Sequence, residues 1–260
     1  MALIFGPLII FISYLGGYWL LGMILLFALI GSIEYMIGSG VKPSSVEFWL
    51  TLLFTIQMIY VASMISFSYA FVTFAVWFIL NGIIFATRNK PPSDLFNRQS
   101  RLVWIVAYLG LLYPFIFHIR SLSGNGGDWL LLLFGTLWLS DTLAMFVGKA
   151  LGKRKLAPTV SPNKTIAGFV GGMLGGIVVA VIMYFWRLSG EIVLVLLGAG
   201  ILISIVGQLG DLVESCWKRA TGIKDSSAVI PGHGGVLDRF DSLLFASPVL
   251  YLYLRFVFYI

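Results

Sequence analysis

Residues 48–87 form an unbroken stretch without a single Asp, Glu, Lys or Arg. As one helix, at 1.5 Å per residue, it would extend about 60 Å, twice the roughly 30 Å hydrocarbon core of a bilayer. The stretch therefore predicts two membrane-spanning helices joined by a turn near Ser63–Ser68.

The same reasoning covers the rest of the chain. Residues 102–118, 129–148, 166–186, 192–210 and 242–260 each predict one span. Gly16-Gly17 divides residues 1–37 into a short first span and a fuller second, with one long tilted helix as the alternative. The apolar runs are continuous rather than alternating, which argues for helices and against a barrel. The expectation is an all-α polytopic membrane protein of about nine transmembrane helices, its cytoplasmic polar loops forming the site. Residues 1–100 would hold about four N-terminal spans and residues 101–260 the catalytic region. Only 11% of residues are charged, against about 25% in soluble domains. No basic segment precedes the apolar start, so no cleavable signal peptide is expected. The single cysteine, Cys216, cannot form an internal disulfide and points to a reducing compartment.

Charge placement orients the spans. If the loop 88–101 is cytoplasmic, so are 38–47, 149–165 and 211–241. Of 17 Lys and Arg residues, all but Arg120, Arg187 and Arg255 fall in these four segments. That bias is the positive-inside pattern. It accounts for the net charge of +6 without a nucleic-acid partner. The N-terminus would be inside and the C-terminus outside, provided residues 1–37 cross twice.

Two of the cytoplasmic segments concentrate polar chemistry. In the first, Asp141 lies within an apolar run, where a carboxylate is costly unless paired or hydrated and is functional by default. Ser161-Pro162 reads as an N-cap followed by proline at the first helical position. That would aim a helix N-terminus at a phosphate, with Asn163 and Lys164 on its first turn. Lys153, Arg154 and Lys155 suit topology or lipid head groups equally. The glycine run 168–176 reads as close helix packing.

The second segment, Asp211 to Asp241, holds nine charged residues. Asp238 and Asp241, spaced i,i+3, share one face of a helix. With Asp211 they could converge on a divalent cation, and oxygen donors without a Cys/His cluster favour Mg²⁺ over zinc. Lys218, Arg219, Lys224 and Arg239 supply positive charge beside those acids, as a metal-bridged polyphosphate requires; structural salt bridges are the alternative. Pro231-Gly232-His233-Gly234-Gly235 reads as a tight loop whose bare backbone approaches a ligand closely. Glu214 and Asp225 are ligands, supporting partners or charge balance. No G-x-x-x-x-G-K-[ST], G-x-G-x-x-G or H-E-x-x-H motif occurs, so no soluble nucleotide-binding domain is expected.

Residues 215–241 resemble the signature of the phosphatidate cytidylyltransferases. The matching positions are Ser215, Lys218, Arg219, Lys224, Asp225, Ser227, Pro231, His233, Gly234, Gly235, Asp238, Arg239 and Asp241. Trp217 departs from the usual aliphatic residue or phenylalanine. The resemblance extends to Asp141, Gly148-Lys149 and the Ser161-Pro162-Asn163-Lys164-Thr165 motif, while the first 100 residues match only in hydropathy. It implies transfer of the cytidylyl group of CTP to phosphatidic acid, giving CDP-diacylglycerol and pyrophosphate. It further implies dependence on one or two Mg²⁺ ions, with a monovalent ion as a further option, and a homodimer in the inner or plasma membrane with its site facing the cytoplasm. The catalytic set would be Asp211, Lys218, Arg219, Lys224, Asp238, Arg239 and Asp241. Asp141, Ser161, Asn163, Lys164, His233, Gly234 and Gly235 would bind substrate, and Asp211, Asp238 and Asp241 the metal.

Two other classes fit less well. A cation-coupled transporter would place polar groups near the bilayer midplane in repeated halves, and no inverted repeat is found. An alcohol phosphotransferase acting on a CDP-linked lipid would carry a D-G-x-x-A-R motif, which is absent.

Overall fold

The computed structural model describes residues 2–88, 91–122, 124–227 and 234–258. The described residues are predominantly helical, with one two-stranded hairpin among them. In order it runs α1 (Ala2–Leu15), α2 (Gly17–Gly38), α3 (Val46–Met64), α4 (Phe67–Ala86), α5 (Pro92–Leu112), α6 (Pro114–Arg120) and α7 (Gly126–Leu151). The hairpin β1 (Lys155–Ala157) and β2 (Ser161–Thr165) follows, then α8 (Ile166–Trp186), α9 (Val193–Ala220) and α10 (Leu237–Phe258).

Among the described residues eight helical segments are long and apolar enough to cross a membrane, α5 and α6 counting as one. The protein is thus a multi-pass membrane protein. The ninth expected span corresponds to α1, whose 14 residues reach only about 21 Å. The break after it falls where expected: Gly16 and Gly17 take positive φ of 71° and 54°, which a residue with a Cβ rarely adopts. The turn between α3 and α4 also matches expectation, with Ser66 capping α4 by accepting from the Ser68 amide at 3.1 Å.

Several boundaries differ from the expectation, each for a local reason. Helix α5 begins at Pro92, so residues 92–101, expected as loop, are helical; a proline in the first turn forfeits no intrahelical bond. The span is then interrupted at Pro114, whose ring and missing N–H cannot continue the ladder. Helix α9 runs on through the charged residues 211–219, where Glu214 and Lys218 pair at i,i+4, 3.5 Å apart. The expected N-cap at Ser161 is overturned. Ser161-Pro162 lies in β2, and the helix is capped four residues later by Thr165, whose hydroxyl accepts from the Gly168 amide at 3.1 Å. Proline suits this place because the hairpin has only two strands, each with an open edge that needs no donor.

The chain sorts into two compact units. The first comprises Met1–Leu20, Ile116–Ala220 and Phe240–Ile260. Its centre is α8 between α7 and α9, with α1 packed on α7. The glycine run makes this close approach feasible, as expected: a Cβ on Gly172 would lie 2.5 Å from the Gln208 amide nitrogen, and one on Gly176 2.2 Å from the Gly200 carbonyl oxygen. Polar contacts fix the same layer, with Gln208 Nε2 on α9 donating to the Phe169 carbonyl of α8 at 3.2 Å. At the other end of these helices Arg187 donates to Asp128 at 2.9 Å and also meets the Tyr14 hydroxyl. The bond to Asp128 raises the Arg187 pKa above its ordinary value.

The second unit comprises Leu21–Phe115 and Thr221–Arg239. Here α3, α4 and α5 pack mutually around Met58, Ile59, Trp77, Leu102, Ile105 and Leu109. Trp77 donates to the Thr51 hydroxyl at 3.3 Å, tying α4 to α3. The signature segment is divided: residues 221–239 belong to this unit, and residues 215–220 and 240–241 to the first.

The glycine contacts yield a stability prediction. Gly176→Ala should destabilise the purified protein by about 1–3 kcal/mol, the usual range for overpacking. Gly190→Ala should leave the melting temperature near wild type, because a Cβ there meets nothing within 4 Å. Equal melting curves for both variants would refute the packing role.

Candidate active site

In the first unit the hairpin carries Lys164 to α9. Its ammonium sits 2.6 Å from Asp211 Oδ2 and donates to the Gln208 carbonyl at 3.3 Å. The strand, rather than a helix N-terminus, is what places it there. Glycines let the hairpin fold back tightly on the end of α7: a Cβ on Gly152 would stand 2.5 Å from the Thr165 hydroxyl. Asp141, one helix across on α7, lies within electrostatic reach of both Asp211 and Lys164. Three residues expected from separate parts of the sequence thus share one locality.

A second layer continues along α9 and α10. Ser215 donates to Asp211 Oδ1 at 3.3 Å. Asp241 is buried and accepts from the Ser242 amide, with the Glu214 carboxyl beside it. Asp211 and Lys218 lie within electrostatic reach of the Asp241 carboxyl. Carboxyl groups held this close repel one another unless a proton or a cation lies between them. Arg219 leans the other way, donating to the Val160 carbonyl in the hairpin turn at 3.3 Å. Ser161 is half-buried and Asn163 exposed on β2.

The second unit builds the glycine loop around two carboxylates. Asp238, in the first turn of α10, accepts through one oxygen from the Ser226 amide and hydroxyl, both at 3.0 Å, and from the Gly235 amide at 2.8 Å. The other carboxylate is Glu34 of α2, which sequence reasoning did not single out. It is buried and accepts from the Ser227 hydroxyl at 2.6 Å, the Ser226 hydroxyl at 3.2 Å, the Val236 amide at 3.0 Å and the Leu237 amide at 2.8 Å. Two of those donors are amides at the start of α10, which have no partner within the helix. The signal was present: Glu34 is the only charge in an apolar run of more than 30 residues. Gly234 takes a φ of 77°, and a Cβ on Gly235 would lie 1.9 Å from the Ser226 hydroxyl oxygen. These positions require glycine for conformation and for space. Lys224 and Arg239 are exposed. Pro231, Gly232 and His233 lie outside the described residues.

Among the described residues no three His, Cys, Asp or Glu side chains are set to enclose a metal ion. The donor chemistry still suits Mg²⁺. That ion is commonly held by one or two carboxylates and completed by substrate phosphates, and Asp211 and Asp241, within electrostatic reach of each other in the first unit, would supply such a pair. Asp238, expected as the third ligand, belongs to the second unit, where one of its oxygens orders the glycine loop.

The Glu34 contacts predict a local effect. Glu34→Ala should deprive two amides and two hydroxyls of a charged acceptor, each such bond being worth about 1.5–3 kcal/mol. Hydrogen exchange at Val236 and Leu237 should accelerate well beyond that in α3 and α4. Unchanged exchange at both amides would show that Glu34 does not hold the loop.

A phosphatidate cytidylyltransferase from Staphylococcus aureus (strain COL) is 47% identical over 145 residues, covering 56% of this chain and 55% of that protein. One from Staphylococcus haemolyticus (strain JCSC1435) is 46% identical over the same length. One from Bacillus subtilis (strain 168) is 42% identical over 159 residues, 61% of this chain and 59% of that protein. The chain thus aligns with between half and two thirds of the length of these relatives. A profile of the cytidylyltransferase family matches residues 1–257, and the chain belongs to that family.

Proposed function

We propose that the protein is a phosphatidate cytidylyltransferase, transferring the cytidylyl group of CTP to phosphatidic acid with release of pyrophosphate. The observation that carries this reading is the placement of Lys164 on Asp211 beside Asp141 and Asp241. Opposite charges are gathered there at the polar ends of membrane helices, as a reaction between a soluble nucleotide and a lipid phosphate needs. The relatives named for this activity support it.

In the proposed reaction an oxygen of the phosphatidate phosphate attacks the α-phosphorus of CTP, and the bond from that phosphorus to the pyrophosphate leaving group breaks. A phosphate monoester has a second pKa of about 6, so the nucleophile is ionised near neutral pH and no strong general base is required. The protein's task is to align two anions and offset their charge. Asp211 and Asp241 would hold one or two Mg²⁺, which would supply charge neutralisation at the phosphates. Lys164, Lys218 and Arg219 offer cations in the first unit, while Lys224 and Arg239 do so in the second. Ser161, Asn163 and Asp141 would bind substrate around Lys164. Gly234 and Gly235 would serve the site by shaping the loop rather than by meeting a phosphate, because the Gly235 amide already donates to Asp238 and Ser226 and Glu34 fill the space beside it. The lysine and arginine bias supports a site on the cytoplasmic side; the membrane would be the plasma membrane, and the protein would act as a homodimer.

The reading is tested by incorporation of labelled CTP into lipid by the purified protein with phosphatidic acid and Mg²⁺. Labelled CDP-diacylglycerol and pyrophosphate are expected. Asp241→Asn should cut turnover on the order of 100-fold or more. Lys164→Ala should raise the KM for one phosphate substrate by roughly 10-fold or more, the equivalent of a lost charged contact. No labelled lipid from folded protein would overturn the reading.

A further inference from the structure

In the second unit a cavity of about 270 Å³ opens between the end of α2 and the start of α5. Arg88, Arg98 and Arg101 line it together with Asp94, Asn97 and the Ser39–Val41 turn. Three of the chain's 17 basic residues therefore surround one hollow. Behind them the wholly buried Glu47 pairs with Arg88 at 2.5 Å and reaches Arg98 at 3.7 Å. Arg101 Nη1 donates to the Ser39 carbonyl at 2.7 Å. Asp94 and Glu47 offset two of the three positive charges, so the cavity keeps a net positive charge.

These contacts fix the guanidinium groups without using all their donors. Arg98 Nε and Nη2 are buried and have no hydrogen-bond acceptor among the described residues. A guanidinium carries five N–H donors, and a buried donor without an acceptor is costly. An anion in the cavity would supply acceptors.

The position narrows the class of anion. Helix α2 ends at Gly38, α3 begins at Val46, α4 ends at Ala86 and α5 begins at Pro92. Four spans terminate at this level, so the cavity lies at the boundary where lipid phosphates sit. Arginine forks match phosphate oxygens in bidentate fashion, and basic pockets between helix ends on the cytoplasmic side bind phospholipid head groups. We propose that this cavity is a binding site for a phosphate group, supplied by the head group of an anionic phospholipid. The proposal is independent of the reaction above, none of whose steps uses these residues.

The test measures binding rather than activity, on the full-length protein in neutral detergent. Phosphatidylglycerol, which has no free phosphate monoester to react, is titrated against phosphatidylcholine as control, and inorganic pyrophosphate forms a second arm. Phosphatidylglycerol is expected to raise the melting temperature where phosphatidylcholine does not. Arg98→Gln should weaken its apparent affinity on the order of tenfold. The exposed Asn97→Asp, which adds a negative charge without touching the Glu47 cluster, should weaken it in the same direction, and Asp94→Asn should tighten it. An Arg98-dependent response to pyrophosphate but not to phosphatidylglycerol would retain the phosphate site and overturn its lipid source. Identical responses in the wild type and all three variants would overturn the site itself.

Discussion

A carboxylate on a membrane-spanning helix is tolerated only where donors or a cation surround it, and a few such groups organise this protein. Glu34 is met by two hydroxyls and two helix-terminal amides, Asp211 by the Lys164 ammonium, and Asp241 by the Ser242 amide with the Lys218 charge in electrostatic reach. The partners of Glu34 and Asp211 come from parts of the chain distant in sequence. Matching these charges therefore fixes which helices and loops meet. Lipid supplies no water to solvate a mismatch, so the matching has to be internal.

The glycines of α8 make the first-unit match attainable. Because Gly172, Gly175 and Gly176 present no side chain, α8 lies against α7 and α9 at backbone distance. The hairpin that leads into α8 is then drawn over the polar end of α9, and Lys164 reaches Asp211. A glycine buried between helices thus sets the position of the lysine proposed to meet substrate. In the second unit Gly235 has the comparable role, since a side chain there would occupy the space in which Glu34 and Ser226 meet.

Much of this was legible in the sequence, and the failures have physical causes. Spans were readable because lipid demands long apolar runs, and the break at Gly16-Gly17 because two adjacent glycines allow positive φ. Helix ends were less readable. Charges at residues 92–101 and 211–219 look like loop, yet charged residues are good helix formers and pair along a helix face, so the helices extend past the lipid. Ser161-Pro162 carries the local chemistry of an N-cap, but the chain folds back as a hairpin and Thr165 takes that role. Glu34 was overlooked because its partners lie about 200 residues away, and no local pattern announces such a contact.

The central claim is that the Asp211 and Asp241 carboxylates, with Lys164 beside them, form the seat of a metal-bridged nucleotide phosphate. It is tested most directly by calorimetric titration of CTP into the purified protein with and without Mg²⁺, alongside Asp211→Asn. The account predicts CTP binding that requires Mg²⁺ and is lost or greatly weakened in the variant. CTP binding that is independent of Mg²⁺ and unchanged in folded Asp211→Asn would contradict it.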